Sequence, residues 1–415
     1  MNRPRVVITG IGAISPLGTS PEQLWEGLIH GKSGIRRITQ FDPTGLPCQI
    51  AGEIPDFHPE DYMDKKEARR IARSSQIALA AAIEAVKDAG LEGTMPEPER
   101  AGVFFGTAIG GLDVMDEAVK TYQAKGLQRV SPFALPSSIP NMPAFMISQQ
   151  FKCLGPSNTI TTACATSTQA IGGGAELIRR GVADIVITGG TEAMIRDFAV
   201  VGFIAMRALP VNYNDRPEQA SRPFDANREG FVFSEGAGVL ILENLEHARQ
   251  RGARIYAEVV GHAASADGYH MAALDPEAAG PARAMRWALT DAGLRPEEID
   301  YINAHGTGTK QNDATETRAI KAVFAESAYQ IPISSTKSMI GHAMGASGAL
   351  EAIACVKTIE SGSIHPTINY ETPDPECDLD YVPNTTRQAT VNTTLSNSFG
   401  LGGQNACLVL KRCQA

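Results

Sequence analysis

No stretch of this chain approaches the roughly 18 consecutive apolar residues of a membrane-crossing helix. The start, Met1-Asn-Arg-Pro-Arg-Val-Val-Ile-Thr-Gly10, carries an apolar run of strand length only, too short for the core of a secretory leader. A soluble, cytoplasmic protein is the expectation. Positive charge is in short supply as well: 37 Lys and Arg face 46 Asp and Glu, a formal net charge of −9. General binding to nucleic acid, which needs a basic face, is thereby argued against. A local basic cluster remains at Lys65, Lys66, Arg69, Arg70 and Arg73. The seven cysteines are odd in number, contain no CxxC and show no metal-ligand spacing, so neither a disulfide framework nor a zinc site is expected, and a reducing compartment suits them. A GxxxxGK[ST] phosphate loop is missing. Thr9-Gly-Ile-Gly12 starts like a dinucleotide fingerprint, but the next glycine is Gly18, after Pro16, so the pattern is not completed. Gly10 and Gly12 read better as a site of close packing between layers.

At 415 residues, with 43% hydrophobic and 20% charged residues, the chain is globular and long enough for two cores. Short Val/Ile-rich runs alternate with Ala-rich helical stretches, the pattern of α/β layers whose strands are covered on both faces. Strands are expected at 5–11, 101–106, 158–162, 184–188, 238–242, 255–260, 300–304, 331–335 and 406–411. Helices are expected at 68–89, 166–180, 281–292, 313–324 and 347–360. One internal repeat is visible: Ala85-Val-Lys-Asp-Ala-Gly-Leu91 resembles Ala288-Leu-Thr-Asp-Ala-Gly-Leu294. Each copy ends an amphipathic helix on a glycine cap, and each precedes an apolar strand followed by Gly-Thr (Gly106-Thr107, Gly306-Thr307). Two related halves follow, 1–250 and 251–415, joined through the charged helical stretch 244–252 with no flexible linker.

Four segments carry chemistry. In Thr161-Thr-Ala-Cys164-Ala-Thr-Ser-Thr168 a strand gives way to an Ala/Gly-rich helix. A thiol there faces the positive end of the helix dipole, which favours the reactive thiolate. Asn303-Ala-His305-Gly-Thr-Gly-Thr309 presents His305 at a strand's C-terminal end, where open α/β sheets place their sites. Ser334-Ser-Thr-Lys337-Ser-Met-Ile-Gly-His342 places a lysine and a second histidine in another strand-to-helix turn. Asn397-Ser-Phe-Gly-Leu-Gly-Gly-Gln-Asn405 has glycines that permit close backbone approach, with N–H groups able to hold an oxyanion, or forms a plain hairpin turn. His30, His58, His247 and His365 sit in polar or loop contexts and suggest no special role.

Together these segments resemble the β-ketoacyl-acyl-carrier-protein synthases, from Val6 to Leu410. The stretch His365-Pro-Thr-Ile-Asn-Tyr-Glu-Thr-Pro-Asp-Pro-Glu-Cys-Asp-Leu-Asp-Tyr-Val-Pro383 is most similar to the type II elongating enzymes. The resemblance implies a thiolase-like five-layer αβαβα fold of two related halves. It implies decarboxylative condensation of an acyl chain, held on Cys164, with a malonyl group on an acyl carrier protein, in fatty-acid elongation or in a polyketide or other specialised pathway. His305 and His342 would assist decarboxylation and hold the enolate oxygen. Lys337 would support His342. Cys164 and Gly400–Gly403 would supply oxyanion N–H groups. Phe399 would gate the site, Thr307 and Thr309 would bind the pantetheine arm, Ile109 and Phe203 would line the acyl pocket, and Asp313 and Glu316 would be structural acids. No metal or redox cofactor is implied. The implied partners are the carrier protein and a second copy of the chain, with Lys65, Lys66 and Arg69 expected to meet an acidic carrier. Leu401 departs from the family's second aromatic in this loop, and Asp267-Gly-Tyr-His-Met271 matches the family's gating loop only in part. A degradative thiolase would use a second cysteine where His342 stands, and a non-catalytic chain-length factor would lack Cys164.

Overall fold

The computed structural model describes residues 3–414 except 92 and 94. Ten strands form the main sheet: β1 (Val6–Ile14), β2 (Ala101–Gly106), β3 (Ser157–Ile160), β4 (Ile185–Glu192), β5 (Gly236–Asn244), β6 (Ala257–Ala266), β7 (Tyr301–Asn303), β8 (Ile333–Ser334), β9 (Thr393–Gly400) and β10 (Gln404–Lys411). Five helices matter most to the site: α1 (Arg73–Asp88), α2 (Thr166–Arg179), α3 (Ala279–Ala292), α4 (Lys310–Phe324) and α5 (Ser347–Ser361).

The strand order is β8-β7-β9-β10-β6-β1-β5-β4-β2-β3. Read from the centre outward, β1-β5-β4-β2-β3 and β6-β10-β9-β7-β8 are the same topology with five added to each number. Directions agree too. β2 runs parallel to β3 and β4, and β5 is antiparallel to β4 and β1. β7 likewise runs parallel to β8 and β9, and β10 is antiparallel to β9 and β6. The halves meet through a short β1–β6 pairing, Val7 with Glu258 and Ile8 with Ala257. Helices α2 and α5 pack on strands of both halves and form the central layer, while α1 covers the β1–β5 half of the sheet and α3 the β6–β10 half. That is the five-layer αβαβα arrangement.

The repeated Asp-Ala-Gly-Leu has a structural reason. Each first strand carries a bulge, at Thr9 in β1 and at Val260 in β6, followed by Gly10 or Gly261. Each glycine lies under its covering helix. A Cβ on Gly10 would come within 2.3 Å of Ala85 O, and one on Gly261 within 2.4 Å of Ala288 O. The next N–H, freed by the bulge, donates to the repeated aspartate: Ile11 N to Asp88 at 2.9 Å and His262 N to Asp291 at 3.0 Å. Gly10 thus serves packing, as its sequence context implied.

Some expectations change. The single helix over 68–89 is two, Lys65–Ala68 and α1; between them the chain turns so that Arg73 makes a two-pronged ion pair with buried Glu235. β9 was not anticipated as a strand; the Asn397–Asn405 motif is the end of β9, a turn at Leu401–Gly403, and β10. No helix among the described residues is long and apolar enough to cross a membrane, and all seven cysteines are free thiols.

Candidate active site

Cys164 lies in a 3-10 turn, Ala163–Ala165, that winds directly into α2. Ala163 has φ 50°, an unfavourable value for a side-chain-bearing residue, which turns the chain sharply at the end of β3. The thiol is buried at the floor of a cavity of ≈ 500 Å³, lined also by His305, Thr307, Thr309, His342, Phe399, Gly400, Leu401 and Phe203. Ile109 does not line that space; it packs against the apolar cluster that includes Cys164.

His342 Nε2 stands 3.0 Å from Cys164 Sγ. Its Nδ1 accepts from the Met344 N–H at 3.2 Å and faces Ser347 Oγ at 2.9 Å. An Nδ1 that accepts leaves the ring proton on Nε2, directed at Cys164 Sγ on the cavity floor. His305 meets His342 edge-on, with ring centroids 5.4 Å apart, and Phe399 at 5.7 Å. Its backbone is fixed by Glu316, whose carboxylate accepts from His305 N at 2.8 Å and Gly306 N at 2.7 Å. Asp313 accepts from Phe224 N at 2.8 Å and Gly308 N at 3.3 Å, bracing the same turn. Thr307 and Thr309 hydroxyls are 3.0 Å apart on the cavity wall, and Thr309 also caps α4.

Lys337 is buried in an ion pair with Glu351 of α5. Desolvation first, then the Lys337 charge, holds His342 well below the usual imidazole range. His305 is held there by desolvation, Lys337 and His342. Both rings are therefore neutral at pH 7 and offer N–H donors rather than charge. Burial pushes the Cys164 thiol up to about 11, against the opposing pulls of Lys337 and the Leu401 backbone. The helix-dipole position expected for Cys164 is present, but burial outweighs it, and the resting group is a thiol. Sγ and the histidine ring nitrogens lie within 4.8 Å of one another, a grouping that a thiophilic metal could use, though the Lys337 ammonium opposes a dication.

The sequence reading passed over several neighbours. Glu351 pairs with Lys337, and its signal was a lone acid within the apolar helical run Gly348-Ala-Leu-Glu-Ala-Ile. Phe231 stacks edge-on against His342 at 5.4 Å, and His270 lines the cavity. His365, given no role, is fully buried and bonded among Tyr301, Ser334, Asn303 and Thr336. The two loops that depart from family pattern touch: Gly402 N donates to Met271 O at 3.0 Å, and Asp267 N donates to Gly403 O at 2.8 Å.

The chain resembles known proteins in both sequence and fold. Residues 3–248 match the model for the beta-ketoacyl synthase N-terminal domain and residues 256–371 that for the beta-ketoacyl synthase C-terminal domain. The chain belongs to the β-ketoacyl synthase family. It is 47% identical over 414 residues to a 3-oxoacyl-[acyl-carrier-protein] synthase 2 of Synechocystis, covering 100% of this chain and 99% of the relative. A protein of the same name from Staphylococcus aureus is 47% identical, with 99% of each chain covered. Among solved structures, the ishigamide ketosynthase/chain length factor aligns over 100% of both chains at a TM-score of 0.92 and 40% identity. A type II polyketide ketosynthase, solved with its acyl-carrier protein and bound to the hexaketide, aligns over 100% of both chains at 0.92 and 36%.

Proposed function

We propose that the protein is an acyltransferase that lengthens fatty acyl chains, condensing an acyl group held on Cys164 with malonyl-acyl-carrier-protein to give 3-oxoacyl-acyl-carrier-protein. The observation that carries this reading is one buried thiol, with two neutral imidazoles and a buried lysine, on the floor of an open cavity.

In the first step Cys164 Sγ attacks the carrier thioester, and its proton leaves with the departing pantetheine thiol. The oxyanion is held by the N–H of Cys164 and by backbone N–H groups of Gly400–Gly403. Phe399 and Leu401 act at the cavity mouth, Thr307 and Thr309 hold the pantetheine arm, and Ile109 and Phe203 shape the acyl pocket. In the second step the malonyl group loses carbon dioxide. The Nε2–H of His342 and an N–H of His305 stabilise the enolate oxygen. A neutral donor suits this task, because it remains to meet the developing charge without having to lose a proton. Burial, reinforced by the field of Lys337, keeps both rings neutral. The enolate carbon then attacks the Cys164 thioester, a carbon–carbon bond forms, and the cysteine leaves as thiolate and is reprotonated.

Lys65, Lys66 and Arg69 are exposed and form the surface we assign to an acidic carrier. Reversing their charges should raise the carrier-substrate KM at low salt; an unchanged KM removes that assignment. We also assign a homodimer, built on the exposed apolar residues Leu112, Tyr122, Leu127, Leu135 and Phe145 and the exposed edge strand β3. The dimer is placed in the cytoplasm, each chain divided at 250/251. A polyketide pathway is the second reading, favoured by the likeness to a hexaketide-bound ketosynthase.

Intact-mass measurement with acyl- and malonyl-carrier thioesters tests the mechanism. The wild type should gain an acyl mass and release a single 3-oxoacyl product, and Cys164→Ala should do neither. Successive unreduced extensions would favour the second reading, and no adduct at any chain length would overturn both.

A further inference from the structure

One buried acid has no place in that chemistry. Glu192 is the last residue of β4, is completely buried, and has no cationic partner among the described residues. Its carboxylate is surrounded instead by four donors. Oε2 accepts from Ala108 N at 2.9 Å and Gly345 N at 3.2 Å. Oε1 accepts from Thr107 Oγ1 at 3.0 Å and Ile109 N at 3.3 Å. Burial nonetheless pushes this carboxyl up to about 7. A group so costly to bury is retained where the neighbouring N–H groups have no other acceptor.

The donors come from two places. Thr107, Ala108 and Ile109 follow β2, and Ile109 enters the apolar cluster that contains Cys164. Gly345 lies three residues after His342, in the turn Met344–Ala346, and Met344 lines the cavity. The fit is tight on both sides. A Cβ on Gly345 would come within 2.5 Å of Ala108 N and 3.0 Å of Glu192 Oε2. Packed elements of this kind move together or not at all.

We propose that Glu192 is a positioning residue that couples the acyl-pocket wall at Ile109 to the His342 turn, so that an acyl chain seated on Cys164 sets the His342 geometry for malonyl decarboxylation. The acyl chain presses Ile109, the Thr107–Ile109 segment shifts, and the shared carboxylate transmits the shift to Gly345. His342 Nδ1 is fixed by the Met344 N–H of that turn and by Ser347 at the start of α5, so the ring follows. Condensation then gains an order of events, in which decarboxylation is fast only when an acyl acceptor is in place. The inference rests on the proposed readings of Cys164 as the acyl carrier and of Ile109 as a wall of the acyl pocket.

The substitution Glu192→Gln keeps the shape but presents an amide NH2 to N–H donors: in the Oε2 place it faces Ala108 N and Gly345 N and releases the His342 turn, and in the Oε1 place it faces Ile109 N and loosens the Ile109 end. The experiment follows two rates in the full-length protein: acyl transfer to Cys164 by intact mass, and carbon dioxide release from malonyl-carrier with and without a pre-loaded acyl group. In the wild type, pre-loading should accelerate carbon dioxide release. In Glu192→Gln, acyl transfer should stay within about twofold while that acceleration falls tenfold or more, a split that a general loss of structure would not give. Ile109→Ala reports on the same joint from its other end should Glu192→Gln fail to fold, and it should lose the acceleration too. Full acceleration in a folded Glu192→Gln, or in Ile109→Ala if that variant has to stand in, overturns the coupling alone. A wild type that takes no acyl group overturns the Cys164 reading and the coupling with it.

Discussion

The two inner helices of this molecule begin alike and end up with different duties. α2 starts from Ala163-Cys164-Ala165 and α5 from Met344-Gly345-Ala346. The first residue of each turn has positive φ, 50° at Ala163 and 43° at Met344. The facing strand ends correspond as well. β9 of one half ends at Gly400 against the Cys164 turn, and β4 of the other ends at Glu192 against the Gly345 turn. At α5 the Gly345 N–H is taken by the Glu192 carboxylate. At α2 no carboxylate meets the Cys164 N–H among the described residues, and Gly400 leaves the space in front of it free of a side chain. The duplicated scaffold thus has two similar places to bind an anion. One is filled by the protein itself, and the other opens on the cavity.

The largest test of this contrast is Gly345→Ala. Its Cβ has no room beside Ala108 N, so the His342 turn must move, and a displacement of about 1 Å should lower kcat on the order of 100-fold. Steady-state kinetics on a variant shown to be folded by circular dichroism checks this; near-normal kcat would mean that the second place tolerates change and is not bound to the reaction.

Next comes the Lys337–Glu351 pair, which ties α5 to the short helix Lys337–Ile340. Lys337→Met or Glu351→Met alone leaves a buried charge unmatched and should cost about 3–5 kcal/mol in denaturant unfolding. The double change to Met should recover most of that stability and none of the activity. Recovery of activity would remove Lys337 from the mechanism.

A pH test follows from the bulges. His262 in β6 holds the place of Ile11 in β1. Its ring lies against Gly172 of α2 with Nε2 buried and unpartnered. Burial lowers it to about 4 from an ordinary 6.5. The unfolded chain therefore binds the proton more readily. Stability is intact above about pH 6.5 and falls as the pH drops towards 4, by up to about 3 kcal/mol from this one group. His262→Ile, which copies the other half, should flatten that part of the acid-unfolding curve. An unchanged curve would place the acid sensitivity elsewhere, His365 being the next group held near 4.

The smallest effect expected is a matched pair. Gly10→Ala and Gly261→Ala each force a Cβ into a helix carbonyl and should cost similar amounts, about 1–3 kcal/mol. Clearly unequal losses would show that the two bulges no longer do the same work.

Much of this symmetry could be read from the chain, because a helix end, a glycine and an aspartate recur together for one geometric reason. Cys164, His305, Lys337 and His342 were also legible, since each stands at a strand end among small residues. β9 was not. It is buried throughout, yet it reads Thr-Thr-Leu-Ser-Asn-Ser-Phe-Gly, with polar side chains satisfied inside the fold: Ser398 on Thr168 at 2.7 Å and Asn397 on Glu316 at 3.1 Å. Hydrophobic pattern cannot find a strand whose inward face is polar. The partners of the site, Glu192 and Glu351, escaped for a related reason. An acid in an apolar run announces a buried charge, but what it holds lies far along the sequence, at Gly345 for one and Lys337 for the other.

The protonated state of Cys164 reaches beyond condensation. Peroxides attack thiolates, and a thiol held near 11 offers almost none at neutral pH. A bound thioester does not need a free thiolate in advance, because it brings its own leaving group and can collect the proton as it departs. The same burial that makes Cys164 slow to ionise thus shields it from oxidants, and in the proposed reaction it leaves the thiol open only to a thioester that fits the cavity.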